Sequence, residues 1–131
     1  MIAKKQITTL LVLACFVFIG VAAVKPSATK HKNLKILPHD ISDQKLDSIM
    51  ESYSKALGVD CKFCHVPFRD FPDSIDFASD KEPMKESARE MMRMTILVNK
   101  TYFYFNKDEK PEYLTTVNCM TCHRGEAIPE H

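Results

Sequence analysis

Tryptophan is absent from this sequence and glycine is scarce, with three in 131 residues. So few glycines leave no phosphate-cradling loop, and neither Gly-x-Ser-x-Gly nor His-Glu-x-x-His occurs. Charge of one sign is also missing: 18 basic residues meet 17 acidic ones, for a net charge of +1. A nucleic-acid binder normally shows a concentrated basic face, and none is legible here. At 45% hydrophobic and 27% charged residues the chain has an ordinary globular mix rather than a disordered one. Its length allows one small domain.

Long apolar runs are confined to the N-terminus. Lys4 and Lys5 precede Ile7 to Val24, a stretch with no charged residue in which Thr8 and Thr9 are the plainly polar members. Val21 and Ala23 offer small residues before a cleavage point, and the run is also just long enough to span a bilayer. Residues 1–24 therefore read as a signal peptide or a retained N-terminal membrane anchor. Cys15 adds a third option, lipidation after cleavage. Each option places the rest of the chain in the periplasm or on the outer face of the cytoplasmic membrane. Residues 25–32, with Pro26, Ser27, Thr29 and three lysines, read as a linker, and 33–131 as the folded domain.

Within that domain Leu34, Ile36 and Leu37 suggest a short extended segment ending at Pro38. Asp40 or Ser42 can cap a first helix over about Ser42 to Leu57, whose apolar face is Leu46, Ile49, Met50, Tyr53, Ala56 and Leu57. Gly58 is placed to end it. Val66 to Asp80 reads as an irregular loop anchored by Phe68, Phe71, Ile75 and Phe77. Ser79 and Glu82 have capping-box spacing and Pro83 suits a first turn, so a second helix is expected from about Lys81 to Phe105. Met84, Ala88, Met91, Thr95, Val98, Tyr102 and Phe105 form its apolar stripe. The tail from Glu126 to His131 is expected to be loose. Two helices supply only modest apolar area, so a prosthetic group or cross-link is expected to complete the core.

Two motifs carry the chemistry: Cys61-Lys62-Phe63-Cys64-His65 and Cys119-Met120-Thr121-Cys122-His123. Each matches Cys-x-x-Cys-His, the attachment signature of c-type haem. Two thiols one short turn apart can each form a thioether with a vinyl group on one haem edge, and the adjacent histidine reaches the iron. A structural zinc site or a disulfide framework would use the four cysteines too. Neither explains a histidine directly after each pair, and both pairs occur in a chain that reads as exported.

The opposite axial ligands are methionine, histidine or nothing. Met50 lies on the apolar face of the first helix, and folding back at Gly58 would bring it over the haem held by Cys61 and Cys64. For the second haem the second helix offers Met84, Met91, Met92 and Met94, of which Met91 lies on the apolar stripe. A methionine on such a face is also ordinary core filler. His31, His39 and His131 read as surface histidines.

From about Asn33 to Pro129 the chain resembles the cytochrome c subunit of photosynthetic reaction centres, specifically one two-haem half of that four-haem protein. The matching stretches are Asn33-Leu34-Lys35-Ile36-Leu37, Cys61-Lys62-Phe63-Cys64-His65-Val66-Pro67, Phe77-Ala78-Ser79-Asp80, Ala88-Arg89-Glu90-Met91 and Cys119-Met120-Thr121-Cys122-His123-Arg124-Gly125. In that family a helix before each attachment motif supplies a methionine to the iron. The resemblance thus implies Met50 opposite His65 and Met91 opposite His123. Two motifs cannot make the full four-haem wire, and the stretch between Tyr102 and Cys119 is longer than the family pattern.

The expectation is a mostly α-helical, small multihaem c-type cytochrome domain, with two main helices and loops packed around two covalently bound haems. Phe63, Phe68, Phe77, Tyr102 and Tyr113 are expected near the rings. The protein would be an electron carrier in an exported, membrane-associated electron transport chain, with redox proteins as partners. Membrane association would run through the N-terminal segment, and neither nucleic acid nor a small-molecule substrate is expected. The alternative is a peroxidase-like haem enzyme or gas sensor, which needs one open axial position.

Overall fold

The computed structural model describes residues 31–129. The N-terminal segment read as signal or anchor, and most of the linker, lie outside these residues. Among the described residues, no helix is long and apolar enough to cross a membrane. Helices dominate: α1 spans Asp43–Leu57, α2 Pro83–Tyr102 and α3 Cys119–His123, with single 3₁₀ turns at Cys61–Phe63 and Pro111–Tyr113.

Helix α1 starts and stops as its sequence dictates. Ser42 has extended backbone and its Oγ accepts from the Lys45 N–H at 3.3 Å, satisfying one of the orphan donors of the first turn. At the other end Gly58 takes a left-handed φ of +65°, which costs glycine little, and its N–H bonds to the Ser54 carbonyl. The start of α2 departs from expectation. The Ser79–Glu82 capping box does not form: Glu82 is the N-cap without a side-chain cap bond, and Ser79 Oγ accepts from the Lys81 N–H instead. Pro83 does occupy the first turn. The helix ends at Tyr102 rather than Phe105, with the Phe103 N–H closing on the Asn99 carbonyl.

The loop after the first motif contains a ladder that the sequence reading did not foresee. Strands β1 (Val66–Pro67) and β2 (Ile75–Asp76) pair antiparallel, Val66 opposite Asp76 and Pro67 opposite Ile75. Leu34 to Leu37, read as extended, joins no sheet among the described residues. Leu37 instead forms, with Ile41 and Ala56, the whole set of buried apolar residues described.

Helix α1 packs on α3, and α2 packs on the Pro111–Tyr113 turn. The inward face of α2 is polar, for Lys85, Arg89 and Asn99 are its buried residues. The apolar stripe is covered only in part: Ala88, Thr95 and Val98 are half-buried, whereas Met91 is 45% exposed and Met84, Tyr102 and Phe105 are exposed as well. Periodicity identifies an apolar face but not what covers it.

Asp80 holds this polar face together. Its carboxylate accepts from Asn33 Nδ2 at 2.8 Å and Lys35 Nζ at 2.7 Å, and lies 2.9 Å from Arg89 Nη1 and 3.3 Å from Lys85 Nζ. Arg89 also bonds the Asn33 carbonyl and the Glu86 carboxylate. Three of the stretches quoted above for the family resemblance thus converge on one carboxylate. Lys35 and Arg89 hold its pKa far below the usual carboxylate range.

Candidate haem-attachment sites

Both motifs are held as short helical turns. In the first, Asp60 starts the 3₁₀ turn by accepting from the Lys62 N–H at 3.0 Å, and the His65 N–H bonds to the Cys61 carbonyl at 3.0 Å. In the second, the Asn118 N–H donates to Thr121 Oγ1 at 3.1 Å at the start of α3, and Arg124 ends the helix with φ +54°. In the Cys119–His123 helix, cysteines at i and i+3 and a histidine at i+4 share one face, whereas in the first motif the turn ends at Phe63, and Cys64 and His65 follow it.

The second motif is docked through its C-terminal edge. The Gly125 N–H donates to the Ala56 carbonyl of α1 at 2.9 Å, and a Cβ on Gly58 would run into the Gly125 carbonyl oxygen. Burial raises the pKa of Tyr53 on α1. Asn99, 1% exposed, fixes the approach to the motif. Its Nδ2 donates to the Leu114 and Val117 carbonyls at 3.0 and 2.7 Å, and its Oδ1 accepts from the Val117 N–H at 2.8 Å. The sequence reading missed Asn99. A lone asparagine in a helix carries no signal of what its amide will meet.

His123 Nδ1 lies 3.0 Å from the Glu126 carbonyl, so as donor it fixes the tautomer and leaves Nε2 with the lone pair. The segment expected to be a loose tail therefore begins with an engaged residue. His65 is half-buried, its Nδ1 fully so and without a hydrogen bond of good geometry, and its ring meets the Phe77 ring edge-on at 5.1 Å. Burial lowers the His65 pKa, and Lys85 and Arg89 lower it further, outweighing the opposite pull of the Phe77 carbonyl and Asp76. Burial raises the pKa of the Cys64 and Cys119 thiols.

The residues fit a covalently attached haem. All four cysteines of the motifs are free thiols, and no three His, Cys, Asp or Glu side chains among the described residues converge into a metal-ion site. Thioether attachment needs free thiols and a neutral imidazole nitrogen, and the motifs supply both. The small apolar core and the partly exposed stripe of α2 suit a domain whose apolar side chains pack on a prosthetic group.

The structure places the predicted ligands with different surroundings. Met50 is half-buried on α1 and Met91 exposed on α2; Met92 is half-buried and Met94 exposed. Of the aromatic residues expected near the rings, Phe77 touches His65, Phe63 is half-buried, Tyr113 lies under Lys45 Nζ, and Phe68 and Tyr102 are exposed. His31 differs from the surface histidine expected. Its side chain is largely buried, with Nε2 3.1 Å from Asp43 Oδ1 in the first turn of α1.

Comparison with known proteins points the same way. Over 86 residues, 65% of this chain, it is 34% identical to cytochrome c-554 of Chloroflexus aurantiacus. Over 102 residues, 76% of the chain, it is 28% identical to the photosynthetic reaction center cytochrome c subunit of Roseobacter denitrificans. The matches take up 18% and 25% of those proteins, so the chain spans about a quarter or less of the curated relatives' length. No solved structure matches. The family model for the photosynthetic reaction centre cytochrome c subunit matches residues 20–131, and with both attachment turns lying inside that range the chain belongs to this family of c-type cytochromes.

Proposed function

We propose that this chain is a dihaem c-type cytochrome that carries electrons in an exported, membrane-associated electron transport chain. The observation that carries the reading is the presence of two Cys-x-x-Cys-His motifs, one opening on the Cys61–Phe63 turn and the other forming the Cys119–His123 helix. Cys61 and Cys64 would hold one haem, with His65 and Met50 as axial ligands. Cys119 and Cys122 would hold the other, with His123 and Met91. When bound, a haem supplies a one-electron ferric–ferrous couple, and the protein's part is to attach, orient and shield it. Cys64 and Cys119 sit half-buried for attachment, the Glu126 carbonyl orients His123, and Phe77 packs against His65.

In this reading residues 1–24 are a signal peptide or anchor, 25–32 a linker and 33–131 the dihaem domain, in the periplasm or on the outer membrane face. The names of the relatives suggest a photosynthetic electron-transfer setting. Redox proteins would be the partners. With a methionine available to each iron, the chain would be a carrier rather than an enzyme or gas sensor.

The test is the optical spectrum of the exported protein in both oxidation states, together with its intact mass. The expected result is the mass of two covalent haems, a near-infrared methionine-to-ferric-iron band and no change with carbon monoxide. Replacing Cys119 and Cys122 by alanine should leave one haem. Ready carbon monoxide binding would overturn the carrier reading in favour of an enzyme or sensor, and a colourless protein would overturn both.

A further inference from the structure

The two histidines stand in different electrostatic surroundings. The backbone carbonyl of Phe77, whose ring packs on His65, accepts from Lys85 Nζ at 2.8 Å. Lys85 Nζ also donates to the Ser79 carbonyl at 2.7 Å, so the ammonium is held by two carbonyls and buried with its stem. Arg89 is buried one turn further along α2. Asp80 and Glu86 face these cations, with Lys35 as a third cation on Asp80 and Arg93 as a second on Glu86. Asp76, whose carboxylate is occupied by the Ala78 and Ser79 N–H groups, is a further anion near His65, and Glu82 is one near Cys64. At the other motif the Glu126 carbonyl accepts from His123, and among the described residues no side-chain cation donates to that carbonyl.

We propose that Lys85, backed by Arg89, is a positioning residue that sets the redox asymmetry of the protein, making the site at His65 the higher-potential one. The physical reason is a fixed, poorly solvated positive charge beside one imidazole and not the other. A buried cation disfavours the ferric form, which carries one more positive charge than the ferrous form. His65 Nδ1 also has no hydrogen-bond acceptor in good geometry, which leaves that imidazole the weaker electron donor. The Glu126 carbonyl, bonded to His123 Nδ1, has the opposite effect and makes its imidazole more basic. The proposal rests on haem attachment at both motifs, and haem content is measured separately from potential.

The experiment is a spectroelectrochemical titration of the exported holoprotein, with haem content and melting temperature measured for each variant. Lys85→Met should lower the higher of the two potentials, changing that reduction equilibrium about tenfold, ~59 mV for one electron. Asp80→Asn should raise the same potential, because it removes an anion facing the two cations. The lower potential should move less than threefold in both. The opposite signs separate charge from structure, since a loosened, wetter site would lower the potential in either variant. Lys85→Arg should restore the wild-type value. If Lys85→Met does not accumulate, Asp80→Asn decides alone. An unchanged or lowered potential in Asp80→Asn, or equal shifts at both haems, overturns the proposal while leaving the dihaem reading intact. Absence of haem from the wild-type protein overturns both.

Discussion

Replacing Gly58 by alanine should uncouple the second attachment motif from helix α1. Two costs combine at this position. A non-glycine residue in the left-handed region costs about 1–2 kcal/mol, and Gly58 sits there with φ +65°. The added Cβ also runs into the Gly125 carbonyl oxygen, a backbone atom that cannot rotate away. Relieving that collision means moving Gly125 off α1, which gives up its bond to the Ala56 carbonyl, worth about 0.5–1.5 kcal/mol. Together these come to roughly 1.5–3.5 kcal/mol, and for a domain of this size each kcal/mol lowers the melting temperature by about 4–8 °C. Thermal melts of the holoprotein by far-ultraviolet circular dichroism should therefore show a fall of about 10–25 °C, the outer estimates being trimmed because the two costs overlap. Gly125→Ala is the control, since its φ is +97° but nothing lies within 4 Å of the added Cβ. It should cost backbone strain alone and lower the melt less. Equal losses in the two variants, or a Gly58→Ala melt within about 4 °C of wild type, would refute the claim that the Gly58–Gly125 contact docks the motif.

Asn99→Leu should leave two buried carbonyls and one N–H without their partner, at about 1–3 kcal/mol each before relaxation. Intact mass should show preferential loss of the haem at Cys119 and Cys122, and loss spread evenly over both motifs would argue against a local role. Acid should weaken the fold through Asp80. Its folded pKa is depressed, so its contribution is fully present above the ordinary value of 3.8 and is lost as pH falls from there toward the folded pKa. Melting temperatures of wild type and Asp80→Asn should therefore differ at pH 7 and converge as the pH is lowered below that value, whereas a constant gap would mean that the charge of Asp80 contributes nothing.

Much of the local structure could be read directly from residue order. Ser42 and Gly58 bound α1 because a hydroxyl cap and a left-handed glycine are local devices that act within one turn. The Ser79–Glu82 spacing misled, because Asp80 between them is drawn into contacts with Asn33, Lys35 and Arg89 that no local pattern reveals. The apolar stripe of α2 was legible, yet four of its residues are exposed while Lys85, Arg89 and Asn99 are buried. A helical period ranks faces by hydrophobicity. It does not register that buried polar groups with complete partner sets can hold a face inside.

The sequence by itself determined the two Cys-x-x-Cys-His motifs, since the spacing of Cys61, Cys64 and His65, and of Cys119, Cys122 and His123, is a property of consecutive residues. It also determined the mostly helical class, because caps and apolar periods are local. Only the tertiary structure decided what surrounds each histidine. Lys85 and Arg89 reach the vicinity of His65 from α2, and the docking of the second motif depends on Gly58 meeting Gly125. Those neighbours are far apart along the chain, and the electrostatic field at a site is a sum over charges in space rather than over positions in sequence.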